Sequence, residues 1–107
     1  MREERTKHFC VYITCSKPRG VLYVGMSSDL PQRAWQHRER IREGFTKSYW
    51  AGRLVYFEHH ETAESAQRRE YLMKRWRRDW KIELIERFNP TWADLFEQVV
   101  REAGYEF

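Results

Sequence analysis

Five side chains carry reactive chemistry at positions that an ordinary core does not explain: Tyr12, Tyr23, Arg33, His37 and Glu70. A phenol or an imidazole can take a proton from water. A guanidinium matches the shape and charge of a phosphate. A carboxylate can hold one divalent ion. Brought together, the five could cleave a phosphodiester. Taken singly, each has a plainer explanation, so the elements that carry them have to decide.

The two tyrosines belong to one predicted hairpin. Phe9 to Cys15 and Val21 to Gly25 are rich in β-branched and aromatic residues, and Ser16-Lys17-Pro18-Arg19-Gly20 between them is turn chemistry. Strand side chains alternate faces. Phe9, Val11 and Ile13 then form the core side, and Tyr12 points to the other face, where no apolar residue is needed. Tyr23 shares a face with Val21 and Gly25, so a suitable register would put the two phenols side by side. Gly25 leaves space for a backbone or a ligand.

The helices pose the same question. Ser27-Ser28-Asp29-Leu30-Pro31 reads as a helix start, with the helix running to Arg42 and stopping at Gly44. Its apolar stripe is Leu30, Ala34 and Ile41, and helical spacing adds Arg33 and His37 to it. Either these two reach solvent past Leu30 or they are aimed at a ligand. Arg53 to His59 reads as a third strand. Thr62 caps a second helix from Ala63 to about Trp76, with a kinked continuation to Phe88. On it Glu70 falls between the apolar Ala66 and Met73, an acid on the inward side. The alternative for Glu70 is an ion pair with Lys74 four residues on. Asn89-Pro90-Thr91 is expected to cap a last helix from Trp92, with Leu95, Phe96, Val99 and Val100 as its apolar side.

The order β-β-α-β-α-α-α predicts an α/β (α+β) fold with a small, three-stranded, mainly antiparallel sheet covered by helices. The expected domain spans 9–100, after a charged segment 1–8 and before a tail 101–107. At 107 residues there is room for one core. No apolar run is long enough for a membrane span and no secretory signal precedes the strands, so a cytoplasmic protein is expected. Cys10 and Cys15 point to opposite faces of one strand and should stay free. His59 and His60 likewise diverge and read as a polar strand end.

Charge is uneven. Between Arg68 and Lys81 there are seven basic residues against two acidic ones; from Ile82 onward there are two basic against six acidic. A basic middle and an acidic tail suit a surface that meets phosphates on one side. An ordinary solvated helix would look the same. Trp76 and Trp80, beside the arginines, could carry flanking DNA or could be core, and the core reading applies equally to Trp35, Trp50 and Trp92.

Val11-Tyr12-Ile13 and Tyr23-Val24-Gly25 resemble the two halves of the GIY-YIG nuclease signature, with the phenols eleven positions apart. Arg33, His37, Glu70 and Asn89 fall where that family keeps its helix Arg and His, its metal-binding Glu and a late Asn. The chain is similar to small stand-alone bacterial members, which share Leu54-Val55-Tyr56-Phe57-Glu58 and the close Lys81…Asn89-Pro90-x-Trp92-x-Asp94-Leu95. Cys10 stands where the first motif has Gly, and Val11 and Val24 stand where it has Ile.

The resemblance implies a metal-dependent endonuclease that hydrolyses DNA phosphodiesters, in DNA repair or in the processing of branched DNA; RNA stays open as a substrate. The alternative is a weakly active or inactive module that binds nucleic acid or a partner. Glu70 would hold Mg²⁺ (or Mn²⁺), with waters filling the octahedron. Tyr12 would help deprotonate the attacking water. A free phenol has a pKa of about 10, so roughly one in a thousand is ionised at neutral pH, and cations or a proton relay must help. Arg33 would stabilise the phosphate oxygens. Tyr23 would orient the phosphate or share the base role, and His37 would tune or relay for a tyrosine. Asn89 would hold geometry rather than do chemistry. Lys47 and Tyr49 are the alternatives for a further loop group. Lys47, Arg69, Lys74, Arg77 and Arg78 are the expected nucleic-acid contacts. Family nucleases usually carry a target-selecting domain, so a protein partner is expected to supply targeting.

Overall fold

Strand β1, Phe9–Cys15, is rich in aromatic and β-branched residues on both faces, and the fold covers both. The computed structural model describes residues 9–33, 35, 36 and 52–102. Strands β2 (Leu22–Ser27) and β3 (Arg53–His60) pair antiparallel on either side of β1, giving the order β2-β1-β3. As the central strand, β1 has every residue from Cys10 to Cys15 at most 2% exposed. The hairpin and the third strand stand where the sequence predicts them. At the hairpin tip the Gly20 N–H donates to the Lys17 carbonyl at 2.8 Å. The left-handed residue there is Arg19, with φ 59°, and its guanidinium is anchored on Glu86.

Val11, Ile13 and Cys15 face the larger core. Helix α2 (Ala63–Arg75) contributes Ala66 and Met73 to it, helix α3 (Arg78–Phe88) contributes Ile85, and Trp92 closes it. The pairing of β1 with β3 shifts between Ile13 and Thr14, so β3 carries one extra residue, Val55. Val55 and Tyr56 consequently both enter this core. The other face of β1, where the sequence reading needs no apolar residue at Tyr12, is covered by apolar side chains as well. Cys10 and Tyr12 pack there with Leu54, Phe57, Leu30 and Val99 in a second, smaller core. Tyr12 is 1% exposed. Alternation shows which side a residue faces, but covering that side takes helices from far along the chain.

Helix α1 starts at Leu30 and is helical at 30–33 and 35–36. Asp29 Oδ1 accepts from the Gln32 N–H, and Ser27 Oγ accepts from the Asp29 N–H, so the predicted start holds. Its predicted end lies outside the described residues. Thr62 caps α2 through its Oγ1 and the Ser65 N–H, at 3.0 Å. The expected kinked continuation is a full break: Trp76 and Arg77 are extended, each with ψ 152°, and α3 begins afresh. The last helix, α4, is Phe96–Glu102 and does not start at Trp92. Residues 89 to 92 form a turn closed by the Trp92 N–H on the Asn89 carbonyl, and Trp92 has φ 57°, which no right-handed helix accepts. Asp94 takes the capping role through the Phe96 N–H. Among the described residues no helix is long and apolar enough to cross a membrane.

A polar clasp fixes α2 to β3. The Glu58 carboxylate accepts from the Tyr56 hydroxyl, from His60 Nε2 at 2.7 Å and from Arg69 Nε at 2.9 Å. The other ring nitrogen of His60 meets Ser65 Oγ at 2.5 Å. Burial pushes the Glu58 carboxyl up, but the bonds from Tyr56, His60 and Arg69 and the charge of Arg69 outweigh it and hold the group below its usual range. Its stabilisation is therefore complete above the ordinary glutamate value of about 4.3 and is lost as pH falls through the lower folded value. Melting curves between pH 7 and pH 3 should show a falling Tm, and the fall should be smaller in Glu58→Gln. An equal fall in both proteins would remove Glu58 as its source.

Candidate active site

Tyr12 stands opposite Gly25 in the β1–β2 ladder. Its phenol lies across the glycine: a Cβ on Gly25 would sit 2.6 Å from Tyr12 Oη and 2.7 Å from Cζ. The group that needs the space at Gly25 is the chain's own phenol. Asp29 and Ser27 set the start of α1, and one turn in, Arg33 reaches back to the strand. Its Nε–H donates to Tyr12 Oη at 3.1 Å. That hydrogen bond and the electrostatic attraction between the guanidinium and the Tyr12 oxygen push the Arg33 pKa up against its partial burial, and Tyr23 adds to the rise. The guanidinium is thus held as a cation beside both phenols. Tyr23 pairs with Thr14, which puts it on the face of Tyr12 but one diagonal step away. It is 50% exposed, so a buried phenol and an open one flank the same cation. Tyr12 and Arg33 also line a small cavity of about 10 Å³, together with Thr14, Leu30, Gly52, Leu54 and Phe96.

Glu70 lies on α2 between the buried Ala66 and Met73, partly covered, with its side chain 23% exposed. Its carboxylate pairs with Lys74 Nζ at 3.0 Å, the alternative that spacing offers. Helix α2 packs its apolar side against Val11 and Ile13, the sheet face opposite Tyr12. The donor chemistry fits a magnesium ion that keeps most of its waters: one partly exposed carboxylate that already attracts an ammonium. Among the described residues no group of three or more His, Cys, Asp or Glu forms a denser cation site. Asn89 is 6% exposed, and its amide is fully engaged. It donates to the Val55 and Ala93 carbonyls and accepts from the Ala93 N–H, which ties the turn after α3 to β3.

A family model, the GIY-YIG catalytic domain, matches residues 8–83, a span that contains the phenols, Arg33 and Glu70. The chain belongs to the GIY-YIG family. The UPF0213 proteins of Staphylococcus aureus strains Mu50 and N315 are each 36% identical to it over 78 residues, covering 73% of this chain and 93% of theirs. No solved structure matches it. The GIY-YIG catalytic domain places the chain in a nuclease superfamily, whose substrate class is nucleic acid.

Of the GIY-YIG positions read from sequence, the fold brings Tyr12, Tyr23 and Arg33 together. His37, Lys47 and Tyr49 lie outside the described residues. The basic residues of α2 and α3 are largely engaged within the chain. Arg69 is held by Glu58, Lys74 by Glu70, and Arg77 by Asp79 at 3.1 Å, while Arg78 donates to the Arg19 carbonyl. A phosphate at any of them competes with a partner already in place. Trp76 is partly buried against the core, Trp80 is 49% exposed, and the two rings meet edge to face. Trp92 is core, as expected for an indole, and its Nε1–H donates to Glu86. Cys10 and Cys15 are both free and buried, and burial, the main cause in each, pushes both thiols up to about 11, so neither is a nucleophile at neutral pH. Sequence reasoning missed Thr14 and the Glu58 clasp. The alternation Tyr56, Glu58, His60 along one strand face was the available signal for the clasp.

Proposed function

We propose that this chain is a divalent-metal-dependent DNA endonuclease, acting in the cytoplasm on repair intermediates or branched DNA with a partner that selects the target. The observation that carries the reading is the bond from Arg33 Nε to Tyr12 Oη with Tyr23 on the same face. In this reading the substrate phosphate enters at the open Tyr23, whose phenol orients it. Arg33 meets the non-bridging oxygens and stabilises the charge that builds on them. Tyr12 takes a proton from the attacking water, and His37 tunes or relays for a tyrosine. Glu70 would hold Mg²⁺ or Mn²⁺, which when bound would neutralise charge on the scissile phosphate and leaving oxygen. Asn89 keeps the turn that braces β3. Arg69, Lys74, Arg77, Arg78 and Lys47 would take flanking phosphates, a sequence-independent grip that weakens with salt.

One observation favours a second reading, a nucleic-acid-binding module without cleavage. Glu70 sits on the helix that covers the far face of the sheet, and Lys74 already neutralises it. A cleavage assay on branched, single-stranded and duplex DNA, and on RNA, decides between them. The nuclease reading expects cutting with Mg²⁺ that stops with a chelator. It also expects Glu70→Ala to lose Mg²⁺ binding by calorimetry and to lose cutting. Nucleic-acid binding without cutting supports the second reading, and unchanged Mg²⁺ binding in Glu70→Ala removes Glu70 as the ligand.

A further inference from the structure

We infer that Thr14 is a positioning residue of this site, whose hydroxyl holds one ordered water in the cavity beside Tyr12 and Arg33. The inference deepens the nuclease reading and its kinetic part rests on it. Thr14 is 2% exposed, and its Oγ1 is a buried side-chain oxygen with no hydrogen-bond partner among the described residues. Buried hydroxyls in native proteins are almost always paired, with protein or with water. Valine has nearly the same shape, so packing alone does not account for the hydroxyl. The same residue lines the cavity that Tyr12 and Arg33 line, and a space of about 10 Å³ suits a single water. Of the other lining residues Leu30, Leu54 and Phe96 are apolar and Gly52 has no side chain, so Thr14, Tyr12 and Arg33 supply the cavity's polar side chains.

The chemistry at Tyr12 calls for such a water. Arg33 donates to the phenol oxygen, so the phenol's own O–H needs an acceptor elsewhere. The Thr14 water is that acceptor. In one concerted shift the attacking water gives a proton to Tyr12 Oη, and the original phenolic proton passes to the held water. That water releases a proton to solvent as the new P–O bond forms, and the leaving oxygen departs with the bonding pair and takes a proton from solvent, so one proton is lost and one gained. Tyr12 ends neutral and never has to ionise fully. The GIY-YIG signature runs through Tyr12 and Tyr23 and gives Thr14 no role.

The test compares wild type, Thr14→Val and Thr14→Ser. In wild type, NMR should show a long-lived water in contact with the Thr14 methyl group. Thr14→Val should lower kcat by about 10- to 100-fold, the range for a partner that orients a reacting group, with KM for DNA unchanged. Its rate should climb more steeply with pH, because the Tyr12 proton must then leave to a base from solution. Thr14→Ser keeps the hydroxyl and should restore most of the rate. Thr14→Val should melt no higher than wild type. No bound water, or a Thr14→Val protein with a raised Tm and an unchanged kcat, would overturn the inference, because the hydroxyl would then be a mere orphan. A wild type that cuts nothing would sink the nuclease reading and the relay with it, while the water contact and the melts still decide whether Thr14 holds a water.

Discussion

Tyr12→Phe is expected to lower the DNA-cleavage rate by about 10²- to 10⁴-fold, the usual worth of a positioned general base, without unfolding the protein. The ring is 1% exposed and packs in the smaller core with Cys10, Leu30, Leu54, Phe57 and Val99, and phenylalanine keeps that packing. What goes is one oxygen, the acceptor of Arg33 Nε. Arg33 is largely exposed, so water replaces the lost acceptor at little cost to stability. Binding to uncleaved DNA should hold, since the phosphate meets Arg33 and Tyr23. The measurement is single-turnover cleavage beside a thermal melt of the same preparation. Wild-type cutting by the variant would assign the activity to a contaminant or to another base.

Gly25→Ala should damage both fold and activity, although it adds one methyl group. That methyl would lie 2.6 Å from Tyr12 Oη and 2.7 Å from Cζ, distances no packed Cβ tolerates. The phenol cannot swing freely, because β1 is the central strand and the ring is walled in by the smaller core. Overpacking of this kind costs about 1–3 kcal/mol. Shifting the phenol also breaks its alignment with Arg33, so the rate should fall as in Tyr12→Phe. The clash predicts strong non-additivity: adding Gly25→Ala to Tyr12→Ala should cost little further stability, because the ring it strikes is gone. Additive losses in a denaturant-midpoint cycle would show that the glycine serves some purpose other than making room for the phenol.

The hairpin, β3, the α2 cap and the α1 start were legible because each rests on local chemistry: alternation, turn residues, a hydroxyl or carboxylate before a helix. Two readings failed where the deciding partner was far away. Trp92 looked like a helix start, yet its indole is drawn into the core and donates to Glu86, while Asp94 does the capping. Alternation asks for no apolar residue on the face of Tyr12, yet Leu30 and Val99 pack against it there.

The candidate site divides in the same way. Spacing and residue type alone marked Tyr12, Tyr23, Arg33 and Glu70 and the family they fit. Only the fold decided that Arg33 bonds the Tyr12 oxygen, that Tyr23 stands diagonally through Thr14, and that Glu70 lies across the sheet with Lys74. A sequence determines which face of its own element a side chain takes, because strand and helix periods are fixed by the backbone. It leaves open what that face meets, because the partners arrive from other elements and are placed by the packing of the whole chain.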